Sequence, residues 1–475
     1  MSASEFNLQR LILFFAITFP CTVFAQEHQP SPQLPALQPM HSALGGPVAR
    51  LVTSQDAAEE GAEEGAEKTT QKRDTGKITR ARPQECGFDP SKLRRVIPTL
   101  QQFVDDGKFP GAVVAVVRGN KLVLLDSVGY RSISDKLPMR EDTIFRIYSM
   151  TKPVTSVAAM MLIEQGKIGL EDPVAKFIPA FGNAQVFSAV KDGGVLTVPL
   201  KRPVTIRDLM RHTSGLTYGF FGESEVDLLY RKADVLSDND TAAQLAAKVA
   251  AIPLMFQPGT RFQYSVSVDV LGRVIEIASG MKLDEYFQTH IFEPLGMVDT
   301  GFYVRKDTIG RFSTNYEISE NGQLGIVDSP ETSRFSRKPR MLSGGGGLVS
   351  TVMDYLRFAQ MLRNKGVYDG RRLLKATSVS QMTRNQLPAD AIPISVGGSQ
   401  MPGMAFGLGL SVYVGNVKMG RVSLRGEYGW DGMASTSFWS SPESDITVVL
   451  LTQRFPYSPQ LEMAVRPLVY EAVID

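Results

Sequence analysis

Ser149-Met150-Thr151-Lys152 places a hydroxyl and an amine one helical turn apart, on one face of a helix. A serine hydroxyl is a weak nucleophile until a neighbour accepts its proton. Lysine accepts that proton only when burial or nearby positive charge lowers its pKa. The pair therefore points to acyl transfer through a covalent serine intermediate. The spacing alone is weak evidence, because Ser188-Ala189-Val190-Lys191 repeats it. Context separates the two. Val154, Val157, Ala158, Met161 and Leu162 follow i, i+3, i+4, i+7 and i+8, which predicts an amphipathic helix opening beside Ser149. Pro153 falls in its first turn, where proline is tolerated, and Gly166 suits a C-terminal cap. The start of such a helix offers backbone N–H groups and a partial positive charge, which favour an oxyanion. Ser188 lies instead in a loop-like stretch before Asp192-Gly193-Gly194.

The serine has few other partners to choose from. There are four histidines, His28, His41, His212 and His290, and neither a GxSxG nor an HExxH pattern. His212 falls in a stretch that reads as a helix end and turn, which suits capping or packing better than a Ser-His-Asp triad. A serine enzyme on this chain needs a base other than imidazole. No metal or organic cofactor is implied.

The elements that must hold this pair are legible from period and punctuation. Leu93, Val96, Ile97, Leu100 and Phe103 fall at helical spacing. The apolar runs 112–117 and 121–127, separated by Arg118-Gly119-Asn120, predict a β-hairpin. From about 167 to 340 short helical patterns dominate; one carries Val268, Leu271, Ile275 and Ala278 and closes at Gly280. Thr351-Val352-Met353-Asp354 has the form of a capping box ahead of Tyr355, Leu356, Ala359 and Leu362. Strand-like runs follow at 408–414, 435–439 and 446–452, then a closing helix over 462–473. Strands at both ends with helices between predict a sheet built from distant segments, with an inserted helical lobe.

Composition bounds the class. Of 475 residues 43% are hydrophobic and 21% charged, so the chain is ordinary globular protein. Lys plus Arg is 51 and Asp plus Glu is 49, a net charge of +2 that gives no reason to expect nucleic acid. Arg10, the apolar run 11–18, Pro20 and Val23-Phe24-Ala25 have the layout of a signal peptide over 1–25. The run is too short to cross a hydrocarbon core of ~30 Å as a helix. No later stretch reads as a transmembrane helix, so no integral membrane domain is expected after cleavage. Cleavage removes Cys21 and leaves Cys86 alone, so the expected location is periplasmic or secreted, without an internal disulfide. Residues 26–84, with Pro-rich runs and the repeated Glu-Glu-Gly-Ala, read as a disordered low-complexity linker ahead of a domain over 85–475.

Further motifs, in order along residues 85–475, carry a family resemblance. Phe145-Arg146-Ile147-Tyr148-Ser149-Met150-Thr151-Lys152-Pro153 resembles the nucleophile motif of the serine β-lactamase and penicillin-binding protein superfamily, nearest to the class C β-lactamase-like family VIII carboxylesterases. Residues 208–216 match a second landmark, and Gln263-Tyr264-Ser265-Val266-Ser267-Val268-Asp269-Val270-Leu271-Gly272 resembles the tyrosine motif. The stretch 344–350 resembles the glycine-rich loop, and Gly429-Trp430-Asp431-Gly432 the third active-site motif.

The resemblance implies an α/β fold of α+β type, β-lactamase/transpeptidase-like. It has an antiparallel sheet flanked by helices, an inserted mostly helical lobe over about 160–340, and a cleft between them. It implies Ser149 as the acyl-forming nucleophile, with Lys152 and Tyr264 sharing acid and base work. Two arrangements stay open: Tyr264 as base supported by the Lys152 cation, or Lys152 as base with Tyr264 as relay. The oxyanion hole would use the N–H groups of Ser149 and Met433, with Gly432 permitting close approach and Trp430 lining the site. The family usually has Lys-Thr-Gly at the third motif and Tyr-x-Asn at the second; here stand Trp430 and Tyr264-Ser265-Val266. Loss of a hydrogen bond to a charged group costs ~1.5–3 kcal/mol, so both departures favour a neutral small-molecule ester over a charged β-lactam. The alternatives are a β-lactamase or D,D-peptidase, which would need another carboxylate anchor such as Arg425 or Arg454, a transacylase, and a non-catalytic or filament-forming relative.

Overall fold

The computed structural model describes residues 76–474. The expected signal segment, Cys21 and most of the expected linker lie outside them. The hairpin of apolar runs forms as β2 (Gly111–Arg118) and β3 (Lys121–Ser132). Ahead of it, β1 (Thr79–Arg80) pairs in parallel with Lys121 and Leu122 of β3, so main-chain pairing draws in a stretch that composition assigns to the linker. The short β4 (Leu137–Pro138) also pairs with β3. The remaining strands of the sheet come from the C-terminal part: β5 (Met404–Phe406), β6 (Ser411–Tyr413), β7 (Tyr428–Asp431), β8 (Ser437–Ser441) and β9 (Ile446–Thr452). The order is β1-β3-β2-β9-β8-β7-β6-β5, and every pair but β1–β3 is antiparallel.

Period-2 alternation sends β2 side chains to two different cores. Ala112, Val114 and Val116 join Val448 and Leu450 against α1 (Val96–Asp105) and the C-terminal helix, through Leu100, Leu461, Val465 and Val469. Val113, Ala115 and Val117 join Val449 and Leu451 on the opposite face. There lie α2 (Thr151–Glu164), α3 (Ser267–Ser279) and α4 (Val352–Arg363). The C-terminal helix, α5 (Gln460–Glu471), thus closes the other side.

Three local expectations are corrected by tertiary context. α2 is buried on all sides from Thr151 to Leu162, so it is the central helix rather than an amphipathic one. Thr151, Thr155 and Ser156 are buried with the apolar positions, and the Thr155 hydroxyl donates to Gly344 O at 2.7 Å. The Ser188–Lys191 stretch is an exposed strand (Gln185–Lys191) hairpinned with Gly194–Pro199, not a loop. A strand does not stack residues three apart as a helix does. Thr351 caps α4 by accepting from the Asp354 N–H at 3.3 Å, but the reciprocal half of the box is not made. The Asp354 carboxylate is taken by the Asp299 N–H and the Thr300 hydroxyl.

Candidate active site

Ser149 sits in a 3-10 turn (Tyr148–Met150) that runs directly into α2. The turn is held by the neighbouring segment 348–350. Phe145–Arg146 pairs with Val349–Ser350, and the Ile147 N–H donates to Leu348 O at 3.1 Å. Tyr148 takes the left-handed conformation, φ 41°, immediately before Ser149. A non-glycine residue there carries strain of ~1–3 kcal/mol and persists only when its surroundings over-determine it.

Lys152 is fully buried, and its Nζ donates to Ser149 Oγ at 3.0 Å and to the Gly345 carbonyl at 2.7 Å. The amine also stands 4.6 Å from the Tyr264 ring centroid and 5.4 Å from that of Tyr218. Burial disfavours the ammonium and brings its pKa down to about 7, against an opposing pull from Asp269. The Tyr264 hydroxyl accepts from the Trp430 indole N–H at 3.0 Å, and Ser149 and Trp430 both pull against the upward effect of burial on the phenol. Burial raises the Tyr264 phenol well above its ordinary value, so it stays protonated at neutral pH. Hydroxyl, amine and phenol therefore meet in one compartment.

The expected oxyanion residues arrive from the sheet. β7 ends at Asp431, and a tight turn follows in which the Gly432 N–H donates to Thr436 O at 2.7 Å. A Cβ on Gly432 would lie 2.4 Å from Ile147 O and 2.2 Å from Thr436 Oγ1. Glycine is thus required for the strand end to abut the nucleophile turn. Among the described residues, neither the Ser149 nor the Met433 N–H donates to a protein acceptor. Trp430 is 6% exposed, and its N–H donates to Tyr264.

His212 does not reach the serine as a base. Its Nδ1 is 3.2 Å from Ser265 Oγ, and its ring packs 4.8 Å from that of Tyr264. Burial and the Lys152 amine hold it well below the usual imidazole range, hence neutral. Of the alternative anchors, Arg425 donates to Val414 O and to Asn416, and Arg454 packs over the Phe109 ring at 5.2 Å. The sequence did not reveal the aromatic wall. Tyr218, Phe220 and Phe221 are half-buried, with centroids 4.5 to 5.8 Å apart, and Tyr218 and Phe221 face Tyr264. Tyr218-Gly219-Phe220-Phe221 was the available signal, an aromatic cluster beside the second landmark. Asp269 and the Gly345 carbonyl were also missed, although both lie inside quoted motifs.

Comparison with known proteins identifies the family. The family model described as Beta-lactamase matches residues 96–468. Protein Rv1367c of Mycobacterium tuberculosis is 35% identical over 365 residues, covering 75% of this chain and 89% of its own. Esterase EstB of Burkholderia gladioli is 29% identical over 409 residues, covering 82% of this chain and 98% of its own. The solved structure of EstCE1, a hydrolase with promiscuous acyltransferase activity, superposes with a TM-score of 0.69 at 29% identity, covering 80% of this chain and 99% of that one. The nine-stranded sheet, the serine–lysine–tyrosine cluster and these likenesses together mean that the chain belongs to the beta-lactamase family, within the serine β-lactamase and penicillin-binding protein superfamily, and is a serine hydrolase.

Proposed function

We propose that the protein is an exported carboxylesterase that cleaves small, neutral esters through an acyl-enzyme on Ser149. The single observation that carries this reading is the fully buried Lys152 amine 3.0 Å from Ser149 Oγ, with a pKa near 7. At pH 8 such an amine is mostly neutral and accepts the Ser149 proton as Oγ attacks the ester carbonyl. The phenol of Tyr264, raised by burial, is a poor base and a suitable relay. The tetrahedral oxyanion is received by the Ser149 and Met433 N–H groups. Collapse breaks the C–O bond, and the departing alkoxide takes the proton from Lys152 by way of Tyr264. Water then repeats the sequence on the acyl-enzyme.

Substrate class follows from the lining. Trp430 stands where the family usually has a cation, and its N–H serves Tyr264. Arg425 is engaged elsewhere, and the wall of Tyr218, Phe220 and Phe221 is apolar. A charged carboxylate gains little here, whereas an apolar acyl or alcohol group packs against rings. Export is supported by the N-terminal pattern of Arg10, the apolar run and Val23-Phe24-Ala25. Acyl transfer to an alcohol is the second reading, favoured by the likeness to EstCE1.

A fluorophosphonate probe followed by intact-mass measurement tests the proposal. One adduct on the wild-type chain, lost in Ser149→Ala together with p-nitrophenyl ester turnover, is the expected result. Unchanged labelling of Ser149→Ala refutes the nucleophile, and rapid cleavage of a cephalosporin with little ester turnover refutes the substrate class.

A further inference from the structure

Asp269 lies in the first turn of α3, and is 4% exposed. Its Oδ1 accepts from the Ser343 hydroxyl at 2.5 Å and from the Gly345 N–H at 3.0 Å. The carbonyl of the same Gly345 accepts from Lys152 Nζ at 2.7 Å. A carboxylate is therefore joined to the reactive amine through one residue's N–H and C=O. The fit leaves no slack: a Cβ on Gly345 would lie 2.3 Å from Asp269 Oδ2 and 3.0 Å from Oδ1. The loop around Gly345 is also stitched to α2, by Thr155 Oγ1 donating to Gly344 O at 2.7 Å and the Leu348 N–H donating to Thr151 Oγ1 at 3.1 Å. Among the described residues, Asp269 makes no ion pair within 4.0 Å, so its charge is spent on the loop and not on a direct bond to Lys152.

We propose that Asp269 is the positioning residue for Lys152: it fixes the Gly345 peptide so that the carbonyl aims at Nζ, and it places a negative charge close enough to steady the amine but too far to neutralise it in an ion pair. The inference rests on the reading of Lys152 as the base for Ser149. A direct Lys–Asp bridge in this dry interior would keep the ammonium charged and useless as a base. An amine with no carboxylate nearby would be a weaker base and would take up the Ser149 proton less readily. An intervening peptide gives the intermediate condition. The other titratable groups facing the amine are Tyr264, ahead of α3, and Tyr218 and His212 from the helical lobe. Burial keeps both phenols protonated and the imidazole neutral at pH 7, so Asp269 supplies the charge that acts on Lys152.

The test titrates the amine directly, by ¹³Cε NMR of lysine-labelled full chain, with Lys152 assigned through Lys152→Met. Asp269→Asn keeps acceptors for Ser343 and Gly345 but removes the charge, so the Lys152 midpoint moves to lower pH. The acid limb of kcat/KM moves with it. Ser343→Ala weakens the clamp but keeps the charge; kcat falls several-fold at unchanged KM, while the midpoint stays. Asp269→Ser, which retains an acceptor in less volume, substitutes if the Asn variant does not fold, and the same displacement is expected. A Lys152 midpoint that is unmoved in a folded Asp269 variant overturns the inference, as does an equal displacement in Ser343→Ala. The NMR titration needs no substrate, so its failure is distinct from failure of Ser149 to take the fluorophosphonate label.

Discussion

Arg146 and Lys152 are two cations on either side of the nucleophile turn, both with no exposed surface, and they have opposite chemistry. Arg146 is held by acceptors at Nε and Nη1, with Nη2 left buried and without one. Its Nε pairs with Asp328 at 2.5 Å, Nη1 donates to Ser313 O at 2.5 Å and to Gln453 Oε1 at 3.2 Å, and the guanidinium lies 3.9 Å from the Phe312 ring centroid. Lys152 has one carbonyl, one hydroxyl and no paired carboxylate. The difference teaches that burial alone does not make a cation reactive. A guanidinium, charged at any accessible pH and matched by a carboxylate, becomes a structural rivet. An ammonium whose nearest carboxylate is displaced by one peptide becomes a base.

Substitutions separate the two roles. Lys152→Met, like Ser149→Ala, is expected to lower kcat by about 10⁴-fold or more, because a nucleophile and its base act as a unit. The same Lys152→Met change should leave the chain as stable or more so, since an apolar side chain replaces a desolvated amine. A cooperative loss of stability on urea unfolding would break the comparison from the Lys152 side. Arg146→Met should do the reverse, lowering urea stability by about 3 kcal/mol. That is the low end for breaking a buried pair, because Asp328 keeps 25% of its side-chain surface in water. Unaltered stability there would show that Arg146 is not the rivet.

Smaller effects sharpen the picture at the serine. Tyr264→Phe, which removes the relay but keeps the ring, should cost about 10²-fold in kcat with little change in KM. kcat/KM for a neutral ester should fall tenfold per unit as pH drops below about 7. The sign follows from Lys152: its pKa is lowered, the neutral form is the base, and acid refills it. A profile flat to pH 5 would remove Lys152 from that role. Trp430→Phe deletes the N–H donor to Tyr264 at about 1 kcal/mol, or roughly fivefold in rate, measured as kcat on the same ester.

The site was unevenly legible in the sequence. Ser149 and Lys152 could be read because one helical turn is a local distance, and the Val154–Leu162 pattern told that pair from Ser188 and Lys191. Tyr264 needed its motif, since a lone tyrosine before a helix is ordinarily packing. The third motif shows what is missing at Trp430, a cation, but not where an indole N–H points. The helix after Ser149 was read as one-faced, yet the glycine loop and α3 cover its other side. Glycines 344 and 345 made that possible by admitting Val268 O and the Asp269 carboxylate at distances a Cβ could not tolerate.

Period, caps and residue type pointed to the main helices and strands and to Ser149 and Lys152 as a reactive pair, and the family motif added Tyr264. These properties depend on neighbours along the chain. Whether Lys152 is an ordinary surface cation or an amine near neutrality was decided only by the fold. Desolvation and charge at a point are set by what packs over it, and here the covering groups come from Tyr218, Tyr264, Asp269 and Gly345, each far from Lys152 in sequence.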